Sequence, residues 1–215
     1  MYTPGHFVND DLKDMHAAMR RHPFALLVTQ HLGEMHLTHL PFHLDTRRGA
    51  KGVLQAHLAR LNPHCAALKS GAASTVVFRG PDAYVSPRWY IDPTKNVPTW
   101  NYVAIHAHGI PKVTLDPKEI LGYITALTDE HEAYIERPWS VREAEAHAER
   151  LVGQIMGFEL PIERLEGKFK LSQNRPEADR VGVMREFGKS KDTNVAEMLG
   201  LMRRLYDENG TLAKQ

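Results

Sequence analysis

Residues 87–102, PRWYIDPTKNVPTWNY, hold two of the chain's three tryptophans, two tyrosines and three prolines, with Arg88, Lys95, Asn96, Thr99 and Asn101 between them. This mixture suits a flat aromatic ligand that carries a phosphate. The ring takes aromatic or apolar walls. The phosphate takes cationic, hydroxyl and amide donors, because a buried dianion without partners is very costly. The polar edge of the ring takes a few fixed donors and acceptors. Ser86, Arg88, Trp89, Tyr90, Lys95, Thr99, Trp100, Asn101 and Tyr102 supply all three kinds. Pro87, Pro93 and Pro98 stiffen the segment, so less entropy is lost on binding. A turn-rich edge that packs its own rings inward has the same composition, so both readings stand.

A second cluster lies in QAHLARLNPH, residues 55–64, where His57, Arg60, Asn62 and His64 span a predicted strand-to-helix transition. Backbone amides at a helix start, with an Arg nearby, make an anion site. A helix cap beside a solvated Arg has the same residues.

The chain has 13 histidines. His36, His39, His43, His106 and His108 fall in predicted strands, and His106 and His108, two apart, share a face. A metal site needs three or four convergent ligands with an orienting outer shell. No HExxH motif or Cys/His knuckle occurs, so no dedicated metal site is expected. Cys65, the single cysteine, sits in the apolar stretch HCAALK beside His64 and reads as an inert buried thiol. There is no GxSxG and no GxGxxG, so no catalytic residue and no Rossmann dinucleotide site are assigned.

The elements that must position these residues change character along the chain. FALLVTQH (24–31) and EMHLTHLPFHL (34–44) predict a hairpin around Gly33, VLQAHLAR and STVVFRG predict further strands, and TWNYVAIHAHGIPKVTL (99–115) is the longest extended run. Pro81 and Asp82 predict a turn before another short strand. Helices are expected at about 9–20, capped by Asn9 or Asp10, and at roughly 62–69. Asp116, Pro117 and Glu119 open a third helix with Ile120, Leu121, Ile124 and Leu127 on one face. Ser140 with Glu143 forms a capping box for the next. A last helix carries Val195, Met198, Leu199, Met202 and Leu205 as a stripe that Asn209-Gly210 ends. Between them, PIERLEGKFKLSQNR (161–175) predicts a late strand with Lys168 and Lys170 on the same face. Together these predict an α+β fold with a mainly β core, a barrel or sandwich in architecture. The expected division is a domain over 1–175, with a helical insertion at about 116–160, and a helical segment over 176–215.

At 215 residues the chain is long enough for one domain of ordinary size. A net charge of +1 advertises no nucleic-acid or membrane surface. The basic stretches FGKSKDTN and LMRRLYDENG are modest, and they read equally as a DNA contact or a solvated face. One cysteine permits no internal disulfide, the N-terminus lacks a signal-peptide pattern, and no run approaches a membrane span, so a cytoplasmic protein is expected.

Three phrases carry a family resemblance: VLQAHLARLNPH, VVFRGPDAYVSPRWYIDPTKNVPTWNYVAIHAHG and KFKLSQNRPEADRVGV. With the opening MYTPGHF, they resemble the FMN-binding negative transcriptional regulators of the PaiB-like family over roughly residues 1–190. Ala56 and Leu61 depart from the Gly and Ala expected there. The resemblance implies an FMN-binding split β-barrel, a homodimer with FMN in a cleft at the interface, and a role in regulating sporulation and degradative-enzyme genes, with DNA a candidate partner. It implies that His57, Arg60 and Asn62 face the phosphate and ribityl chain. Ser86, Trp89 and Tyr90 would line the ring or cap the cleft. Thr99, Trp100 and Asn101 would supply donors and a wall, and Lys170, Ser172 and Gln173 would close the site. A small flavin-dependent oxidoreductase, or a haem-binding protein using His106 or His108 as axial ligand, would use the same fold, and fold alone does not choose.

Overall fold

A computed structural model describes residues 1–213. Its strands are β1 (Val8–Asn9), β2 (Phe24–His31), β3 (Glu34–Pro41), β4 (His43–Asp45), β5 (Val53–Ala59), β6 (Ser74–Val85), β7 (Thr99–Gly109), β8 (Lys112–Thr114), β9 (Ile155–Pro161) and β10 (Arg164–Lys170). Its helices are α1 (Leu12–Arg21), α2 (His64–Lys69), α3 (Pro117–Glu132), α4 (Glu145–Val152), α5 (Glu177–Phe187) and α6 (Thr193–Leu205). The strands form two antiparallel sheets, ordered β1-β10-β7-β6-β2-β3 and β4-β5-β9-β8, which bears out a mainly β α+β fold. The described backbone groups into two compact units: residues 1–10, 79–104 and 167–213, and residues 11–78 and 105–166.

The second of these units contains the predicted hairpin. β2 and β3 pair from Phe24↔Pro41 to His31↔Glu34. The two-residue turn takes positive φ at both positions, Leu32 (50°) and Gly33 (84°). That matches the right-handed strand twist and favours Gly at the second position. Alternation sends Ala25, Leu27 and Thr29 inward, and the other sheet contributes Leu54, Leu58, Met156, Phe158 and Leu160. Phe42 packs edge-on against both Phe78 and Phe158, at 6.0 and 6.1 Å between ring centroids. Each such buried ring contributes roughly 2–3 kcal/mol of transfer free energy.

Helix starts follow the sequence closely. Asp116 accepts from the Lys118 amide at 2.8 Å with Pro117 first in α3. α1 is capped by Asp11, one or two residues later than expected, through bonds from the amides of Lys13 and Asp14. The Ser140–Glu143 box forms, but it opens a 3-10 turn over Val141–Ala144 before α4 begins. α4 stops at Val152, and the residues after it enter β9, a strand not foreseen.

In the first unit, β10 is the predicted late strand, shortened to Arg164–Lys170. α6 buries Met198, Leu199 and Met202 of its expected stripe, beside Phe7, Val85, Phe169, Leu171, Val183 and Phe187. α6 ends at Leu205, ahead of the Asn209-Gly210 signal. No turn forms at Pro81-Asp82, because β6 continues through them to Val85. Gly80 marks a close strand approach instead: a Cβ there would lie 2.8 Å from the Cβ of Val103. Among the described residues, no helix is long and apolar enough to cross a membrane.

Candidate functional site

The segment before β7 divides its rings between interior and solvent. Ser86 Oγ accepts from the Arg88 amide at 3.3 Å and starts a short 3-10 turn over Pro87–Trp89. Trp89 then packs edge-on against Phe187 (5.8 Å) and Tyr84 (6.4 Å). Tyr84 also meets Trp100 edge-on at 5.8 Å, and Trp100 remains half exposed. Tyr90 is buried with the Arg175 guanidinium 4.6 Å from its ring centroid. Among the described residues its hydroxyl has no hydrogen-bond partner, and burial pushes its pKa up. A buried phenol left unpaired is uncommon and is satisfied by a ligand or water.

The end of β10 faces the start of β7. Lys170 Nζ donates to Thr99 Oγ1, and its ammonium lies 5.7 Å from the Phe7 ring centroid. Lys168 Nζ lies 5.2 Å from the Tyr102 centroid and donates to the Tyr2 carbonyl at 3.1 Å. Arg175 donates to Asn96 Oδ1 at 2.6 Å. Burial lowers the pKa of Lys170, and the charges of Lys168 and Arg175 lower it further. Among the described residues, none of these three cations is paired with a carboxylate. A partly buried, unneutralised set of positive charges calls for an anion, and the Thr99 hydroxyl adds a neutral donor. With the adjacent aromatic faces and the unpaired Tyr90 hydroxyl, these residues fit a phosphorylated flat ring.

The other expected residues of this unit are engaged with one another. Asn101 Nδ2 donates to Ser172 Oγ at 3.0 Å, the Ser172 hydroxyl returns a bond to Asn101 Oδ1 at 3.2 Å, and both residues are buried. Gln173 accepts from the Leu171 amide at 2.7 Å and donates to the Phe169 carbonyl. These bonds hold the turn after β10, where Ser172 takes φ 68°.

In the second unit, His57 is half-buried on β5, and burial, which disfavours the charged ring, lowers its pKa. Arg60 is exposed and uses Nε to bond the Ile155 carbonyl at 2.8 Å. Asn62 Oδ1 accepts from the His64 amide at 2.9 Å and so caps α2. His64 is buried, with Thr38 Oγ1 on Nδ1 and Thr29 Oγ1 on Nε2, both at 2.8 Å. Burial, reinforced by nearby His36, lowers its pKa to about 4.

Lys168, Arg175, Tyr2 and Phe7 were not foreseen as site residues. The Lys168–Lys170 alternation signalled Lys168, and the phrases MYTPGHF and KFKLSQNRPEADRVGV held Tyr2, Phe7 and Arg175 without giving them a role; Arg175 joins from a loop whose path local pattern does not show. A separate cleft of about 630 Å3 in the second unit is lined by His43, Asp45, Arg48, Lys112, Tyr123 and Glu159, among others, and by none of the expected residues. Its charges largely pair internally, Arg48 with Glu159 and Arg47 with Asp45.

Comparison with known proteins agrees with this chemistry. Residues 1–164 match the family model described as "Putative FMN-binding domain". Protease synthase and sporulation protein PAI 2 of Bacillus subtilis is 29% identical over 204 residues, which cover 94% of this chain and 96% of that protein. A conserved hypothetical protein of Mycobacterium tuberculosis superposes with a TM-score of 0.58 at 11% identity, covering 82% of this chain and 94% of that one. The FAD and heme binding protein of Mycobacterium smegmatis superposes with a TM-score of 0.56 at 18% identity, covering 76% of this chain and 73% of that one. At those identities the structural likeness speaks to the fold. The structural likeness shows a split-barrel fold, and the family match shows that this chain belongs to the family described as putative FMN-binding domain, with PAI 2 among its relatives.

Proposed function

We propose that the protein is an FMN-binding negative transcriptional regulator that holds its cofactor at a homodimer interface. The observation that carries the cofactor assignment is the set Lys168, Lys170 and Arg175, unneutralised and lined by rings. Lys170 and the Thr99 hydroxyl take phosphate oxygens. Tyr90 donates its unpaired hydroxyl to a polar atom of the cofactor. Trp89 and Trp100 wall the ring, with Ser86 fixing the turn that carries Trp89. Asn101, Ser172 and Gln173 set the shape of the turn behind Lys170. Arg60 offers terminal guanidinium nitrogens to an anion, with His57 and Asn62 close to it in sequence. Bound FMN supplies redox and light-absorbing chemistry that the side chains lack.

Two further features support the regulator and the dimer. The outer face of the β2–β3 hairpin exposes Phe24, Met35 and Leu37, apolar residues that share one side of the sheet. Contiguous apolar surface of this kind marks an interface, and a second copy of the chain is its natural cover. Arg203 and Arg204 lie exposed at the end of α6, where they can meet DNA phosphates.

The decisive experiment is to denature the purified protein and identify what it releases. Release of FMN, or stoichiometric binding of added FMN, is expected; a Soret band in place of flavin absorbance would overturn the assignment. For the regulator, a salt-dependent mobility shift on a defined promoter is expected. Steady NADPH oxidation by the FMN-loaded protein, without promoter binding, would replace it with the oxidoreductase reading.

A further inference from the structure

His106 and His108 stand two apart on β7, so their rings rise from the same face of the sheet. β10, the neighbouring strand, brings Glu166 to them. The ligand atoms of His106, His108 and Glu166 all lie within 4.8 Å of one another, and all three residues are half-buried. The sequence offered two histidines on one strand, and strand pairing supplies the third donor.

The plainest account of Glu166 is an ion-pair partner. Its Oε2 lies 2.7 Å from His108 Nε2 and 2.6 Å from Arg164 Nη1. That account leaves two features unused. The His106 ring, 6.1 Å from the His108 ring between centroids, has no hydrogen-bond partner among the described residues. The Thr75 hydroxyl lies 2.9 Å from His108 Nδ1. A hydroxyl there can accept the Nδ1 proton, which leaves the Nε2 lone pair directed at the cluster. Metal-binding imidazoles are oriented by an outer-shell acceptor of this kind. Two imidazoles on one strand and a carboxylate on the next form a facial set that leaves coordination positions open.

We propose that His106, His108 and Glu166 bind one divalent first-row transition ion, with Thr75 orienting His108 and Arg164 steadying the carboxylate. In the metal-free protein, His108 Nε2–H donates a hydrogen bond to Glu166. On binding, the neutral ring takes its other tautomer, with its one proton on Nδ1 donated to the Thr75 hydroxyl, and the freed Nε2 lone pair and the carboxylate turn to the ion. The remaining positions are filled by solvent, as in three-ligand zinc sites.

The test uses untagged full-length protein stripped with a chelator and dialysed. Zn2+ is titrated against a chromophoric chelator, and Co2+ is added to a second sample. One equivalent of Zn2+ and visible Co2+ bands are expected. Thr75→Val should weaken Zn2+ binding by roughly 10–100-fold; His106→Ala and Glu166→Gln should weaken it more and abolish the Co2+ bands. Circular dichroism reports whether each variant is folded. His106→Ala removes a ring that has no hydrogen bond among the described residues, so it decides the matter if Glu166→Gln does not fold. Failure of the wild type to compete for Zn2+, or equal binding by folded His106→Ala, would overturn the site.

Discussion

Asn101 and Ser172 hold each other across the interior of the first unit: the amide donates to the hydroxyl at 3.0 Å and the hydroxyl donates back at 3.2 Å. Neither side chain has solvent to turn to. Removing one leaves the other buried and unsatisfied, which costs about 1–3 kcal/mol. Asn101→Ala should therefore lower the melting temperature of FMN-free protein by several degrees, read by thermal circular dichroism. An unchanged melting temperature, with FMN affinity lost, would make Asn101 a direct ligand contact rather than a support.

Lys170 behaves in the opposite way. Burial and the charges of Lys168 and Arg175 depress its pKa, so its charge is a burden until an anion arrives. Lys170→Met should leave FMN-free protein equally stable or more so, while weakening FMN by about 10–100-fold, the worth of one charge-assisted hydrogen bond. Flavin fluorescence titration and a thermal melt of the same variant check both halves. A variant that loses stability and keeps FMN would remove Lys170 from the phosphate.

His64 sets a pH dependence. Its folded pKa of about 4 lies below the ordinary 6.5 because burial, helped by His36, disfavours the charged ring. Between those values the unfolded chain binds more protons than the folded one. Stability is then fully present above about pH 6.5 and falls progressively as pH drops toward 4, by on the order of 3 kcal/mol. Urea midpoints across that window should fall with pH in the wild type and flatten in His64→Gln. Parallel profiles would show that other groups set the acid response.

Gly182 is the tightest point between α5 and the site segment. A Cβ there would lie 2.1 Å from the Trp89 carbonyl oxygen. Alanine gains about 1 kcal/mol of helix propensity over glycine, but here the clash outweighs it. Gly182→Ala should destabilise the protein and shift its tryptophan fluorescence, because Trp89 must move off Phe187. A more stable variant with an unchanged spectrum would contradict this packing.

Much of the fold was legible because its signals are short-range. Asp116-Pro117, the Ser140–Glu143 box and the hairpin at Leu32-Gly33 each act within a few residues, and each formed. Within the helical segment expected over 176–215, α5 carries no start signal of its own, because it follows Pro176 with no side-chain cap and holds Gly182 in its middle. The Pro81-Asp82 turn was over-read: an extended strand tolerates Pro81, and Gly80 serves a strand approach. In the site, composition collected the rings of residues 86–102. It did not tell which would face inward, as Tyr90 does, which would stay half-buried, as Trp89 does, and which would face outward, as Trp100 does.

What the sequence determined alone was local: caps, turns, alternating faces, and a stock of rings, hydroxyls and cations in the proportions a phosphorylated flavin needs. Tertiary structure decided which of these meet. Lys170 found Thr99, Asn101 found Ser172, and Glu166 found His106 and His108 through pairings between strands far apart in the chain. The physical reason is one of range. Caps and turns are closed by bonds a few residues long, whereas burial and unpaired charge arise only after distant strands have excluded water between them.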